Sequence, residues 1–299
     1  MPMDRKRLAL VGALVLLLAV IAWSSTREGT FTSGNAIFPV RMNGKFGFID
    51  PAGKLVVQPQ FDEAGKFENG SAPVNIGGKW GFVDRHGKLT VHPQFEMADP
   101  YSDGLALVGL NRRFGYVDRS GKLIINPQFE GAGSFEDGLA PVMLSNRWGY
   151  IDKTGKLAIN PQFEEAGNFS EGKALVKMGE RYGYIDTKGK IVINPQFEGA
   201  GNFRDGLAVI RMGGKFGYID SDGKIAINPQ FDHAGDFHDG MAVVNMYGRF
   251  GYIDRKGKLA INPQFDQAGD FAGDLAPVWL GERQGYINRD GKYVWNPTA

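Results

Sequence analysis

The 299-residue chain has no cysteine. That excludes disulfides, cysteine nucleophiles, thiolate metal sites and a lipoprotein anchor, and it suits an oxidising compartment without requiring one. An excess of one charge is missing too. The formal net charge is +1, and once Asp4, Arg5, Lys6, Arg7, Arg27 and Glu28 are set aside, 30 basic side chains face 31 acidic ones. Phosphate contacts demand a positive excess, so no nucleic-acid partner is expected. Histidine is scarce: His86, His92, His233 and His238 fall at four different places in the chain's pattern, none in a helical HxxxH pair, and most are expected at the surface. No nucleophile elbow, phosphate loop or dinucleotide fingerprint stands in a strand-to-helix setting. These absences leave no catalytic residue, cofactor site or metal site to expect.

Long hydrophobic runs are also absent, with one exception. "DRKR" (4 to 7) precedes "LALVGALVLLLAVIAW" (8 to 23) and then "SSTREGT", the charged, apolar and polar order of an export signal. Sixteen apolar residues, at about 1.5 Å each, are slightly short for a bilayer core of roughly 30 Å. We expect an N-terminal hydrophobic helix acting as an uncleaved signal anchor, with the basic cluster in the cytoplasm and the rest of the chain across the membrane. Cleavage after Ala22 or Ser24 is the alternative, giving a secreted protein. The division is residues 1–30 for the signal and linker and 31–299 for the remainder.

What is abundant is glycine, 43 residues, together with 12% aromatics and 42% hydrophobic residues, the mark of short aromatic strands joined by tight turns around a real core. A glycine after an aromatic recurs at Gly47, Gly81, Gly115, Gly149, Gly183, Gly217 and Gly251, and again at Gly285 after Gln284, always 34 residues apart. An uninterrupted period means one supersecondary unit stacked eight times. Each unit reads as three strands, "LAPV", "FGYID" and "KLAIN" in type. In the second, Phe250 and Tyr252 share one face while Gly251 and Ile253 share the other. The first turn carries Asn-Gly, Gly-Gly or Gly-Glu, and the second carries Asp-x-x-Gly, where Asp accepts a backbone hydrogen bond and Gly takes positive φ. "NPQFDQAGDFAG" (262 to 273) then carries the chain back as a fourth crossing, and its apolar spacing of three predicts a 3₁₀-like path.

"GKWGF" (78 to 82) and "NRWGY" (146 to 150), with Asp-x-x-Gly-Lys, Pro-Gln-Phe-[Asp/Glu] and Gly-Leu-Ala-x-Val, resemble the WG (KWG) repeat family over about residues 35 to 299. Only Trp80 and Trp148 are tryptophan at the naming position, so the aromatic is read as packing. The resemblance implies a bacterial-type β-repeat protein.

The fold class is therefore all-β, eight tandem antiparallel meanders. A propeller-like closed ring is the expected arrangement, with an open β-solenoid as the alternative. Small residues such as Ala106 and Ala174 on the first strand suit the innermost strand of a blade, and Pro73 and Pro141 there suit an edge. Against closure, 34 residues is short for a blade of roughly 40 to 50, and the last copy, with Gln284, Asn288 and Trp295, reads as a cap.

Bases at one position (Lys45, Lys79, Arg113, Arg147, Arg181, Lys215, Arg249, Arg283) and acids after Pro-Gln-Phe (Asp62, Glu96, Glu130, Glu164, Glu198, Asp232, Asp266) are expected to pair within or between units. Asp220-Ser-Asp222-Gly223 resembles the start of a calcium loop but lacks the later ligands, and reads as a turn. No copy carries a legible set of convergent polar residues. What varies is the first turn, and Asn43, Asn111, Asn146, Glu180, Tyr247 and Glu282 are the candidate ligand-facing residues. The expected function is a non-catalytic binding scaffold outside the cytoplasmic membrane, with a protein or cell-envelope glycan as partner. The alternative is a glycan-active or other hydrolase on a β-propeller.

Overall fold

The computed structural model describes residues 37–298. The hydrophobic helix and signal anchor expected over residues 1–30, and the domain start at residue 31, lie outside the described residues. Among these, every regular element is a strand, 31 in all. Blade 1 holds β1 (Phe38–Met42), β2 (Lys45–Ile49) and β3 (Leu55–Phe61). Blade 2 holds β4 (Glu63–Ala64), β5 (Ala72–Ile76), β6 (Lys79–Val83) and β7 (Leu89–Phe95), hydrogen-bonded in chain order. Blades 3 to 8 repeat this four-stranded meander, while the described part of blade 1 has three strands.

The eight blades form a closed propeller ring. The Tyr286 hydroxyl of blade 8 donates to the Pro39 carbonyl of blade 1 at 2.7 Å, and the Tyr286 and Phe38 rings lie 5.6 Å apart. Leu275 and Tyr286 share one buried cluster with Phe38, Val40 and Ile49, against which Val294 and Trp295 pack. The open solenoid is thereby excluded. The departures of the last copy are the complement of blade 1 at this seam and not a cap.

The contact between blades explains the repeat. Tyr150 of blade 4 is fully buried against Phe169 of blade 5, ring centroids 4.8 Å apart, and its hydroxyl donates to Gly167 O of blade 5 at 2.8 Å. Tyr116, Tyr184, Tyr218 and Tyr252 repeat that bond to Gly133, Gly201, Gly235 and Gly269. Burying such a ring contributes about 1.5–3 kcal/mol. Phe250 and Tyr252 do share a face, packing in one cluster, while Ile253 turns to the cluster of the preceding blade.

The glycine after the aromatic answers to the outer strand. Trp80 pairs with Phe95 and Phe82 with Val91, so His92-Pro93-Gln94 bulge over the single residue Gly81. A Cβ on Gly81 would stand 2.4 Å from Val91 O, and one on Gly149 would stand 2.5 Å from Ile159 O. Asn-Pro-Gln and Trp-Gly are thus two halves of one β-bulge.

Two expectations are corrected. The fourth crossing is an extended inner strand and not a 3₁₀ turn, continuous over Gly199–Arg204 and His233–His238 and elsewhere reduced to two residues plus a bridge such as Glu136↔Leu139. Its apolar spacing comes from a bulge between Ala200 and Phe203. Consequently the proline-bearing strand is second from the axis and not innermost. Proline is tolerated because its missing N–H faces this bulged neighbour, whose Gly133 N donates to Pro141 O at 2.9 Å.

Candidate functional site

In each four-stranded meander, the turn joining the second and third strands opens on one face of the ring, and the turn joining the inner and second strands opens on the other. All six sequence-predicted residues lie on the first of these faces and are exposed, one per blade for Asn43, Asn111, Asn146, Glu180, Tyr247 and Glu282. They are distributed around the ring, not gathered into a pocket. Their backbones follow the turn chemistry: φ is positive at Asn43 and Gly44, Asn111 and Arg112, Ser145 and Asn146, and Tyr247 and Gly248, as a type I′ turn requires. At Gly179-Glu180 and Gly281-Glu282 only the glycine is positive, the type II′ pattern.

The expected ion pairs form in six copies and reach further than one blade, whereas Lys79 and Glu96 do not come within ion-pair distance. Lys215 Nζ is 2.5 Å from Asp232 Oδ1, and Asp232 Oδ2 accepts from Tyr247 N of the next blade at 2.9 Å. Lys45, Asp62 and Gly77 repeat this arrangement. The Lys215 ammonium first, and then the Tyr247 N–H, hold the Asp232 carboxyl below its usual range. Arg113–Glu130, Arg147–Glu164, Arg181–Glu198 and Arg249–Asp266 pair likewise. Asp220-Ser-Asp222-Gly223 is the expected turn: Asp220 Oδ1 accepts from Asp222 N and Lys224 N.

Tyr247 departs from this structural logic. Its side chain is 92% exposed at φ 56°, a left-handed backbone that a bulky residue rarely adopts. In the other blades Asn, Gly or Ser stands at its place. Beside it lies a shallow depression of about 290 Å³ lined by Met246, Tyr247, Arg249, Leu259 and Pro263.

The ring axis holds a second constellation, which sequence reasoning missed. Side chains alternate along the inner strand, so Phe67, Phe135, Phe203 and Phe237 enter the packing between blades while the residues flanking them face the axis. Those flanks bring together Lys66 and Glu68 of blade 2, Glu136 of blade 4, Asn168 of blade 5, Asn202 and Arg204 of blade 6, Asp236 and His238 of blade 7 and Asp270 of blade 8; Asp99 of blade 3, one place earlier, joins them. Arg204 reaches past blade 5 to Glu136 at 2.8 Å, the two side chains 12% and 10% exposed. Asn168 Nδ2 donates to Glu136 Oε1 at 3.4 Å. Asp236 accepts from the Asn202 backbone N–H, an approach that a Cβ on Gly201 would block at 2.4 Å.

Burial dominates this site. It pushes Asp236 up to about 7, Asp99 and Asp270 up to about 6, and Glu68 upward, although Lys66 and Arg204 pull Asp270 back. Burial first, then Lys66 and Arg204, push His238 down to about 3, so the ring is neutral. Its Nε2 stands 3.5 Å from Asp270 Oδ2, too long for a hydrogen bond. His238 Nε2, Asn202 Oδ1 and Arg204 Nε are buried with no hydrogen-bond partner. Most of the histidines are at the surface as expected, His86, His92 and His233 being exposed, and His238 is the exception. The expectation that no polar set converges fails with it. The missed signal was a position pair, on either side of the inner phenylalanine, that is predominantly polar yet differs from copy to copy.

The sequence matches the WG containing repeat family over residues 46–80, 80–112, 114–148, 148–182, 182–216, 216–249 and 250–281. The chain belongs to this family. Among solved structures, this WG-repeat ring is similar to the dihydro-heme d1 dehydrogenase NirN in complex with DHE (TM-score 0.58, 12% identity, 93% of this chain and 77% of that one). It is similar also to AztD of Citrobacter koseri (TM-score 0.53, 13% identity, 88% and 93%). A eukaryotic initiation factor gives a TM-score of 0.54 at 10% identity over 85% of this chain and 81% of that one. At such identities the likeness is one of fold alone. No protein of curated function matches the chain in sequence.

Proposed function

We propose that the protein is a non-catalytic binding scaffold acting outside the cytoplasmic membrane, whose turn face receives a cell-envelope glycan. One observation carries this reading. Tyr247 holds an aromatic ring almost wholly in solvent, on a backbone conformation unfavourable to it, where other blades place Asn, Gly or Ser. Such local strain contributes nothing to packing and is the kind kept at binding positions. An exposed tyrosine ring beside an apolar depression offers a flat surface for the C–H face of a sugar, with Arg249 and the neighbouring turns as polar contacts. The basic and apolar order of residues 4–23 supports export, with residues 8–23 anchoring the chain in the membrane or removed on secretion.

The test is capture of the full-length protein on immobilised envelope glycan fragments and envelope proteins. Glycan capture lost in Tyr247→Ala, with the melting temperature unchanged, supports the reading. Capture by proteins alone, or capture indifferent to Tyr247, overturns it.

One observation favours a second reading, a glycan-active hydrolase: the buried carboxylates Asp99, Asp236 and Asp270 on the axis, held protonated toward neutral pH as general acids are. Release of shortened glycan that ceases in Asp236→Asn would replace the scaffold reading with this one.

A further inference from the structure

Blade 7 departs from its sisters twice on the turn face, and the two departures adjoin. Tyr247 stands on its turn, and His233 opens its inner strand where the other blades have Glu63, Met97, Gly131, Glu165, Gly199 and Gln267. Asp232 links them, since its Oδ2 accepts from Tyr247 N at 2.9 Å and His233 is the next residue. The exposed His233 ring lies edge-on between Phe216 of blade 6, at 5.3 Å, and Phe250 of its own blade, at 6.2 Å. Arg211 of blade 6 ends the row, its guanidinium 5.8 Å from the Phe216 ring centre.

The charge along this row is one-sided. Lys215 and Arg249 are paired with Asp232 and Asp266, and the nearby Glu198 is paired with Arg181. Arg211 is exposed, and among the described residues no carboxylate stands within ion-pair distance of it. Its seat on Phe216 holds the guanidinium in place and leaves the N–H fork for a ligand. His233 has no hydrogen-bond partner among the described residues, and burial against the flanking rings lowers its pKa. At neutral pH the imidazole is therefore uncharged, with one donor and one acceptor. That is the complement of two adjacent sugar hydroxyls.

The span sets the size of the ligand. The depression beside Tyr247 reaches Leu259 and Pro263 of the outer strand, while His233 lies on the inner one. Three strand spacings separate them, roughly 14 Å. Several sugar units are needed to cover that distance.

Resting on the glycan reading above, we propose that the ligand of the turn face is an acidic oligosaccharide lying radially across blade 7, with a sugar ring on Tyr247, hydroxyls on His233 and a carboxylate on Arg211. A guanidinium fork receives a carboxylate through two parallel hydrogen bonds. A neutral chain leaves that fork to water, and a basic chain meets it with like charge.

The experiment is isothermal titration of the full-length protein with two acidic probes, trigalacturonic acid and the disaccharide of N-acetylglucosamine with N-acetylmuramic acid, each against an uncharged counterpart, galactotriose and chitobiose. The expected result is saturable binding of the acidic probes, roughly tenfold or more tighter than the neutral ones, a ratio narrowed by added salt. Arg211→Gln should bring the ratio close to one, and Tyr247→Ala should weaken every probe. The comparison on the unaltered protein stands even where a variant fails to fold. Equal binding of acidic and neutral probes, or a preference unmoved by Arg211→Gln, overturns the proposal; if Tyr247→Ala still abolishes that binding, the glycan reading survives. Binding of no probe at millimolar concentration also overturns the proposal, and capture on the immobilised glycans then decides the glycan reading separately.

Discussion

Tyr286 and Pro39 are joined by a hydrogen bond of 2.7 Å although 247 residues separate them in the chain. Tyr150 makes the corresponding bond to Gly167 within the body of the ring. In an open stack the terminal tyrosine would fray and its loss would be nearly silent. In the closed ring, Tyr286→Phe and Tyr150→Phe each leave a buried carbonyl without its donor and are expected to cost a similar amount, about 1–3 kcal/mol, in urea unfolding. A negligible cost at Tyr286 alone would contradict closure.

Gly149→Ala tests the bulge. Its Cβ would stand 2.5 Å from Ile159 O and 2.7 Å from Pro161 N, both backbone atoms that a rotamer change cannot move. Destabilisation of at least about 1–3 kcal/mol is expected. Pairing Gly149→Ala with deletion of one bulge residue should be milder than their sum predicts, a coupling measurable in a double-mutant cycle.

The rim ion pairs, by contrast, are expected to contribute little. Arg147 and Glu164 stand 3.7 Å apart with both side chains well exposed. Arg147→Ala should shift the melting temperature by less than about 2 °C, and added salt should erase even that.

Stability should carry the imprint of the axis as pH changes. The folded Asp236 carboxyl is raised to about 7 from 3.8, so the folded chain keeps a proton that the unfolded chain releases. That contribution is complete below about pH 4 and is lost as pH rises through 7. Asp99 and Asp270 act in the same sense, up to about 6. His238, lowered to about 3, acts oppositely: its contribution is complete above about pH 6.5 and is lost as pH falls toward 3. Asp236→Asn removes the first effect alone. Urea midpoints measured at about pH 4.5 and pH 7.5 should therefore show the variant gaining on the parent protein at the higher pH. A constant difference between the two would refute the assignment.

Three of the four strands, their turns and the rim pairs were legible because they recur: Asp220 and Gly223, or Lys215 and Asp232, do the same thing in most copies. Closure was legible only as a preference, drawn from alanine and proline on a strand that lies second from the axis; what fixes it is Phe38, Tyr286 and Trp295, which meet only when the two ends of the array are brought together. The axial set escaped for the opposite reason. Lys66, Arg204, Asp236 and His238 differ from one copy to the next, and a reading that averages copies discards the differences. Only the rotation of the blades about the axis shows that these singular residues face one another.

A hydrogen bond that ties the last blade to the first also limits what gene duplication can do. A linear array can grow or shrink by one unit and merely become longer or shorter. Here, gaining or losing 34 residues would change the angle each blade must subtend and pull the Tyr286 phenol away from its carbonyl. Copy number in this chain is therefore a geometric constant, and its divergence is confined to point substitutions within a fixed set of eight.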